Sequence, residues 1–157
     1  MKSTIQILHR KLSQNKMTIA VAESCTGGAL SRLLTKYPGS SLYFALGVTA
    51  YSNKAKVKFL QIPQKTIDCY GAVSEVTAKL MAKNIKSIAQ TDCSLSTTGI
   101  AGPAGALKNK PVGTVYIGAC AKNKIISKKF RFSGRRAQII NQACLQALKM
   151  LKQLIPD

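Results

Sequence analysis

The stretch Thr18-Ile19-Ala20-Val21-Ala22-Glu23-Ser24-Cys25-Thr26-Gly27-Gly28 constrains the fold of this chain more than any other. A short apolar run reads as a buried strand that stops at Glu23-Ser24. Hydroxyls, a thiol and two glycines then lead into the amphipathic run Ala29 to Leu34. The pattern is strand, tight turn, helix. It sets Ser24 at the carboxyl end of a strand and beside a helix amino terminus, where unpaired backbone N–H groups can hold negative charge. Two readings follow. Either Ser24 is a nucleophile held at that point, or Ser24 or Thr26 caps the helix, as hydroxyl residues commonly do before an apolar run.

The flanking segments supply the layers around this unit. Ser3 to Gln14 carries Ile5, Ile7, Leu8 and Leu12, a helical stripe suited to covering a sheet, and His9 within it reads as a packing or surface residue. Pro38-Gly39-Ser40-Ser41 is a loop. Leu42 to Tyr51, rich in aromatic and β-branched residues, is a second strand with a bulge expected at Gly47. Tyr51 to Lys56 turns toward a short helix ending near Ile62-Pro63, and Lys65 to Tyr70 makes a helical turn. Ser74 then caps a helix running from Glu75 to about Ile88.

Asp92 to Thr97 is a third strand, ending in the glycine-dense turn Thr98-Gly99-Ile100-Ala101-Gly102-Pro103-Ala104-Gly105. That turn is either a surface loop or a place where backbone N–H groups approach a ligand. Val112 to Ala121 and Lys124 to Phe132 read as an antiparallel pair, and Ser133-Gly134-Arg135-Arg136 opens a closing helix. Strands alternating with helices before a hairpin predict a mixed sheet with helices on both faces. No repeat or linker divides residues 1–157, so a single domain is expected. In such a sheet the ligand site forms at strand carboxyl ends, here the turns after Ala22, Ala50 and Thr97.

Composition narrows the chemistry. No run approaches the ~20 apolar residues of a membrane span, and Met1-Lys2-Ser3 leads into a mixed helix, so a soluble cytosolic protein with no membrane partner is expected. Five widely spaced cysteines and one histidine suit neither a disulfide framework nor a metal site. Cys25 stands apart, because a thiol beside a helix amino terminus can have a lowered pKa. The net charge of +19 predicts attraction to anions. However, nineteen of the twenty-four basic residues are lysines scattered along the chain with few aromatics between them. That is the pattern of a solvated surface, which would touch nucleic acid only non-specifically.

With His9 outside all three turns, a Ser-His-Asp triad is excluded. The five acids Glu23, Asp68, Glu75, Asp92 and Asp157 offer little for paired-carboxylate chemistry. A serine with a lysine base remains, and Lys56, following the second turn, is the candidate. At its reference pKa of ~10.4 only about one lysine in 2,500 is neutral at pH 7, and a shift of three units costs roughly 4 kcal/mol. Burial can supply it. The residues alone equally allow Lys56 to be a surface or anion-binding lysine.

Taken together, Ala22-Glu23-Ser24-Cys25-Thr26-Gly27-Gly28, Tyr51-Ser52-Asn53 with Lys56, Gly71-Ala72-Val73-Ser74-Glu75, Thr98-Gly99-Ile100-Ala101-Gly102-Pro103, Lys110-Pro111-Val112-Gly113-Thr114-Val115, and Gly134 with Arg136 resemble the CinA C-terminal domain family, also described as nicotinamide-nucleotide amidase. The resemblance implies a three-layer α/β/α sandwich around a mixed, mostly parallel sheet with an antiparallel C-terminal hairpin. It also implies hydrolysis of nicotinamide mononucleotide to nicotinic acid mononucleotide and ammonia, without metal or cofactor.

By the same resemblance, Ser24 would attack the amide carbon, Lys56 would act as base and then acid, and Tyr51 would assist the proton relay. Glu23, Cys25, Thr26, Gly27, Thr98, Gly99, Ala101 and Gly102 would line the substrate site, and Arg136, or Lys110 in its place, would hold the phosphate. The competing reading is a non-catalytic module that uses its positive field to bind nucleotide or nucleic acid. An apolar face on the first or last helix would serve a homodimer.

Overall fold

The computed structural model describes residues 3–155, so Met1-Lys2 and Pro156-Asp157 lie outside the described residues. Twelve elements follow in order, eleven of them named here as α1 (Thr4–Gln14), β1 (Ile19–Glu23), α2 (Ala29–Leu34), β2 (Phe44–Thr49), α3 (Asn53–Leu60), α4 (Gln64–Tyr70), α5 (Glu75–Ala89), β3 (Cys93–Gly99), β4 (Thr114–Ala121), β5 (Lys124–Arg131) and α6 (Arg136–Leu154). The twelfth is a 3-10 turn at Ser40–Leu42, which ends the expected loop and takes in Leu42, expected as the start of the second strand; that strand begins instead at Phe44.

The five strands lie in the order β2-β1-β3-β4-β5. β1 runs parallel to both β2 and β3, and the hairpin β4–β5 continues the sheet antiparallel, so β4 alone points the other way. The carboxyl ends of β1, β2 and β3 therefore open at one edge, which brings the three polar or glycine-rich turns together.

Side-chain alternation along β1 divides the interior in two. Ile19 and Val21 join one apolar cluster with Leu8 and Leu12 of α1, Leu30 of α2 and Leu148 and Leu151 of α6. Ala20 and Ala22 face the other, with Leu60 of α3, Ile67 of α4 and Met81 and Ile85 of α5. The result is a three-layer sandwich with α1, α2 and α6 on one face and α3, α4 and α5 on the other.

The second face is packed especially close. Ser94, Ser96 and Thr98, alternate residues of β3, donate from their hydroxyls to the carbonyls of Ala82 (2.6 Å), Ala78 (2.6 Å) and Ala72 (2.7 Å). Gly118 of β4 faces the same helix, and a Cβ there would stand 2.4 Å from the Ala78 carbonyl oxygen.

The irregularity in β2 falls at Ala45 and not at Gly47. Ile19 pairs with Phe44 and Ala20 with Leu46, so Ala45 is the extra residue. The bulge sends Phe44 to the first cluster and Leu46 and Val48 to the second. Gly47 serves another purpose: a Cβ there would lie 2.5 Å from Ser31 Oγ, so its absence lets α2 approach the strand. Among the described residues no helix is long and apolar enough to cross a membrane.

Candidate active site

The turn after β1 presents Ser24 to a lysine from α3. Because adjacent residues of an extended chain face opposite ways, Glu23 turns toward α2 while Ser24 turns toward α3. Ser52 caps α3 by accepting from Ala55 N at 3.0 Å, which starts the helix so that Lys56 lies in its first turn and points back under the sheet edge. Lys56 is 1% exposed, and its Nζ lies 2.9 Å from Ser24 Oγ, 2.9 Å from the Ala50 carbonyl oxygen and 3.3 Å from the Tyr51 carbonyl oxygen.

That environment suits both protonation states of the amine. A neutral amine has two hydrogens for the two carbonyls, which can only accept, and a lone pair left for the Ser24 hydroxyl. An ammonium can donate to all three. Burial pushes the Lys56 pKa below the ordinary lysine value, against the opposing pull of the nearby Cys25 thiol group.

Above the pair is a cleft of about 300 Å³, lined by Ser24, Cys25, Tyr51, Asn53, Lys56, Ala72, Val73, the 98–102 strand end and turn, Ala104, Gly105 and Arg136. Arg136, the first residue of α6, reaches across its mouth and donates to the Gly102 carbonyl (2.9 Å) and to the Tyr51 hydroxyl (2.9 Å). Both acceptors are neutral, so its charge is available to an anionic ligand. Among the described residues no carboxylate lines the cleft. Among the described residues, no group of three or more His, Cys, Asp and Glu side chains is arranged to hold a metal ion.

The residues singled out in the sequence divide accordingly. Ser24, Lys56, Tyr51, Cys25, Thr98, Gly99, Ala101, Gly102 and Arg136 meet at the cleft. Glu23, Thr26, Gly27 and Lys110 do not line it. The Glu23 side chain is fully buried against α2. The Thr26 hydroxyl donates to Glu23 at 2.6 Å and sits 2.7 Å from Thr97 Oγ1. Lys110 Nζ donates to the Tyr70 carbonyl at 3.4 Å, outside the cleft, which leaves Arg136 as the cation at the mouth. Tyr51 meets Lys56 through its backbone carbonyl, while its hydroxyl is held by Arg136.

Two readings left open by the sequence are closed by the contacts of this turn. Neither Ser24 nor Thr26 caps α2. The helix amino terminus is instead occupied by the Glu23 carboxylate, which accepts from the backbone N–H groups of Gly28, Leu30 and Ser31. The Cys25 thiol is not activated: burial pushes its pKa up to about 12. Of the N–H groups in this turn, those of Ser24, Gly27 and Ala29 donate to the carbonyls of Thr97, Ser24 and Thr26. Among the described residues, the N–H groups of Cys25 and Thr26 donate to no main-chain carbonyl, and the Cys25 N–H bonds the thiol of its own side chain.

Sequence reasoning missed Asn53, Ala72 and Val73 as cleft residues, although the cap signals at Ser52 and Ser74 fix the turns that carry them. The Ala50 and Tyr51 carbonyls left no signal, since any residue type supplies a carbonyl.

The family model described as the CinA C-terminal domain matches residues 1–155. A CinA-like protein of Endomicrobium trichonymphae is 46% identical over 144 residues, which are 92% of this chain and 34% of that protein. The chain thus spans about a third of the length of the curated relatives it matches. Among solved structures, a competence-damaged protein (CinA) superfamily protein of Escherichia coli superposes with a TM-score of 0.93 at 30% identity, covering 97% of this chain and 88% of that one. The competence/damage inducible protein CihA of Agrobacterium tumefaciens does so with a TM-score of 0.91 at 32% identity, covering 98% and 97%.

Proposed function

The chain belongs to the CinA C-terminal domain family, and from that membership we propose that it is a serine-type amidohydrolase that deamidates nicotinamide mononucleotide to nicotinic acid mononucleotide and ammonia. The observation that carries the reading is the buried Lys56 amine 2.9 Å from Ser24 Oγ at the floor of an open cleft. A capping serine needs no buried lysine, and a surface lysine would not be 1% exposed.

The chemistry follows from the contacts. Neutral Lys56 takes the Ser24 proton as Oγ attacks the carboxamide carbon, and the backbone beside Ser24 at Cys25, which lines the cleft, receives the oxyanion. The Lys56 ammonium, still held by the Ala50 and Tyr51 carbonyls, then returns its proton to the departing nitrogen, and ammonia leaves an acyl ester on Ser24. Water, deprotonated by the same amine, hydrolyses the ester and frees the carboxylate. Arg136, whose two acceptors are neutral, takes the phosphate at the mouth.

The test is ammonia release from nicotinamide mononucleotide by wild type, Ser24→Ala and Lys56→Ala, with folding checked by circular dichroism. Release by wild type and a loss of at least ~10³-fold in each variant is the expected result. Equal release by Ser24→Ala removes the serine from the mechanism. No release by folded wild type removes this substrate.

A further inference from the structure

The strongest unassigned feature of the molecule lies directly behind the nucleophile. Glu23 has no exposed surface, and five donors converge on its carboxylate. Oε2 accepts from Thr26 Oγ1 at 2.6 Å, Gly28 N at 3.0 Å and Leu30 N at 3.0 Å. Oε1 accepts from Ser31 N at 2.8 Å and Ser31 Oγ at 2.6 Å. Backbone N–H groups meet both oxygens, so neither oxygen can be exchanged for an amide nitrogen without setting donor against donor.

The main chain of the same residue reaches the other half of the pair. The Glu23 carbonyl accepts from Ala50 N at 2.9 Å, and the Ala50 carbonyl in turn accepts from Lys56 Nζ at 2.9 Å. The next residue is Ser24, whose own N–H is pinned to the Thr97 carbonyl at 3.0 Å. A rotation of the strand end at Glu23 would therefore move the serine and the carbonyl that holds its base together.

We infer that Glu23 is the positioning residue of the Ser24–Lys56 pair. Its carboxylate, locked onto the amino terminus of α2, fixes the rotation at which Ser24 Oγ faces Lys56, while its carbonyl sets the Ala50 carbonyl that aims the amine. Glu23 touches no substrate. It also consumes the positive end of α2, so that helix offers nothing to a substrate phosphate. The inference rests on the amidohydrolase reading only for its ammonia readout, because the alignment of the pair can be measured without that substrate.

The experiment uses an alkyl fluorophosphonate as a probe of Ser24. Ser24 Oγ bonds to phosphorus, the P–F bond breaks, fluoride leaves with the electron pair, and Lys56 accepts the proton. Labelling rates per folded molecule are measured by intact mass for wild type, Glu23→Gln and Ser31→Ala, with the folded fraction from thermal melts. Ammonia kinetics are run alongside. Misalignment in Glu23→Gln is expected to slow labelling ~100-fold and to lower kcat by a similar factor, with KM within about threefold of wild type. Ser31→Ala, which removes one donor and buries no mismatched amide, is expected to slow labelling about 3- to 10-fold.

Unchanged labelling per folded molecule in both variants, with only the folded fraction reduced, would overturn the inference and leave Glu23 a cap of the fold. If Glu23→Gln fails to fold, the Ser31→Ala rate decides alone. Wild type that labels at Ser24 but releases no ammonia defeats the substrate reading, and the Glu23 inference then stands or falls on the labelling rates. Wild type that does not label at Ser24 overturns the inference outright, since there is then no reactive pair to position.

Discussion

At the scale of single residues, the site depends on one lysine kept from water. Burial lowers the Lys56 pKa, so the folded protein holds that proton less tightly than the unfolded chain does. The sign of two effects follows. As base, Lys56 must be neutral, so kcat/KM should rise with pH and level off at a midpoint below the ordinary lysine value of ~10.4. A profile measured from pH 6 to 10 checks this, and a rate that falls with rising pH over that range would exclude an amine base. For stability, the cost of burying the amine is absent above ~10.4, grows as pH falls toward the folded-state pKa, and is constant below it. Neutral pH is thus where the protein gives up stability to keep this amine buried.

The residue scale also shows where reading the sequence fell short. The pattern made Ser24 and Lys56 candidates while leaving a cap and a surface lysine open, and the family resemblance singled out Arg136; the structure brings all three to one cleft. Glu23 was placed in the substrate site by the family resemblance, and the structure turns its side chain away from the cleft. Strand alternation turns adjacent side chains to opposite faces, and nothing in the sequence says which face is the cleft. The option of an activated Cys25 thiol closes for a related reason. A helix amino terminus lowers a thiol pKa only if its charge is uncompensated and the thiol is wetted, and here Glu23 fills the terminus while the thiol is buried.

At the scale of elements, α5 packs close against β3 and β4, and the Thr98–Ala72 hydrogen bond ties the cleft wall just before α5 to the same strand. Gly118→Ala would drive a Cβ to 2.4 Å from the Ala78 carbonyl and 2.5 Å from Ser96 Oγ. A helix carbonyl cannot swing aside as a side chain can. The substitution should therefore cost about 3 kcal/mol in urea unfolding, through strain and loss of the Ser96–Ala78 hydrogen bond, and a cost under ~0.5 kcal/mol would mean α5 is free to lift. The helices and strands themselves were legible to within a few residues, since the cap at Ser74 and the apolar runs in β1 and β4 are local signals. The Ala45 bulge was not, because a bulge is a property of pairing, and Gly47 drew attention for a different constraint, the approach of Ser31.

At the scale of the whole molecule, the charge of +19 and the buried chemistry act over different distances, and salt separates them. Basic residues occupy every layer: Lys54 and Lys58 on α3, Lys79 and Lys83 on α5, Lys149 on α6, and Lys124, Lys128, Lys129 and Arg131 on the outer strand β5, all exposed. A field spread in this way draws any anion but shapes no groove for one. The Debye length shrinks to about 10 Å at 0.1 M salt, so long-range attraction fades while a contact such as Lys56 to Ser24, buried and 2.9 Å long, is untouched.

Raising salt from 20 to 300 mM should therefore increase KM for the anionic nucleotide several-fold and leave kcat unchanged. Polynucleotide binding, followed by fluorescence anisotropy in the same buffers, should fall steeply on a log–log plot and be indifferent to Ser24→Ala. A polynucleotide complex that persists at 300 mM salt would require a fitted surface of phosphate and base contacts, and the reading would pass to a nucleic-acid module. A kcat that fell in step with the field would mean that the charge reaches the reacting atoms, and that Lys56 is less sheltered than its burial requires.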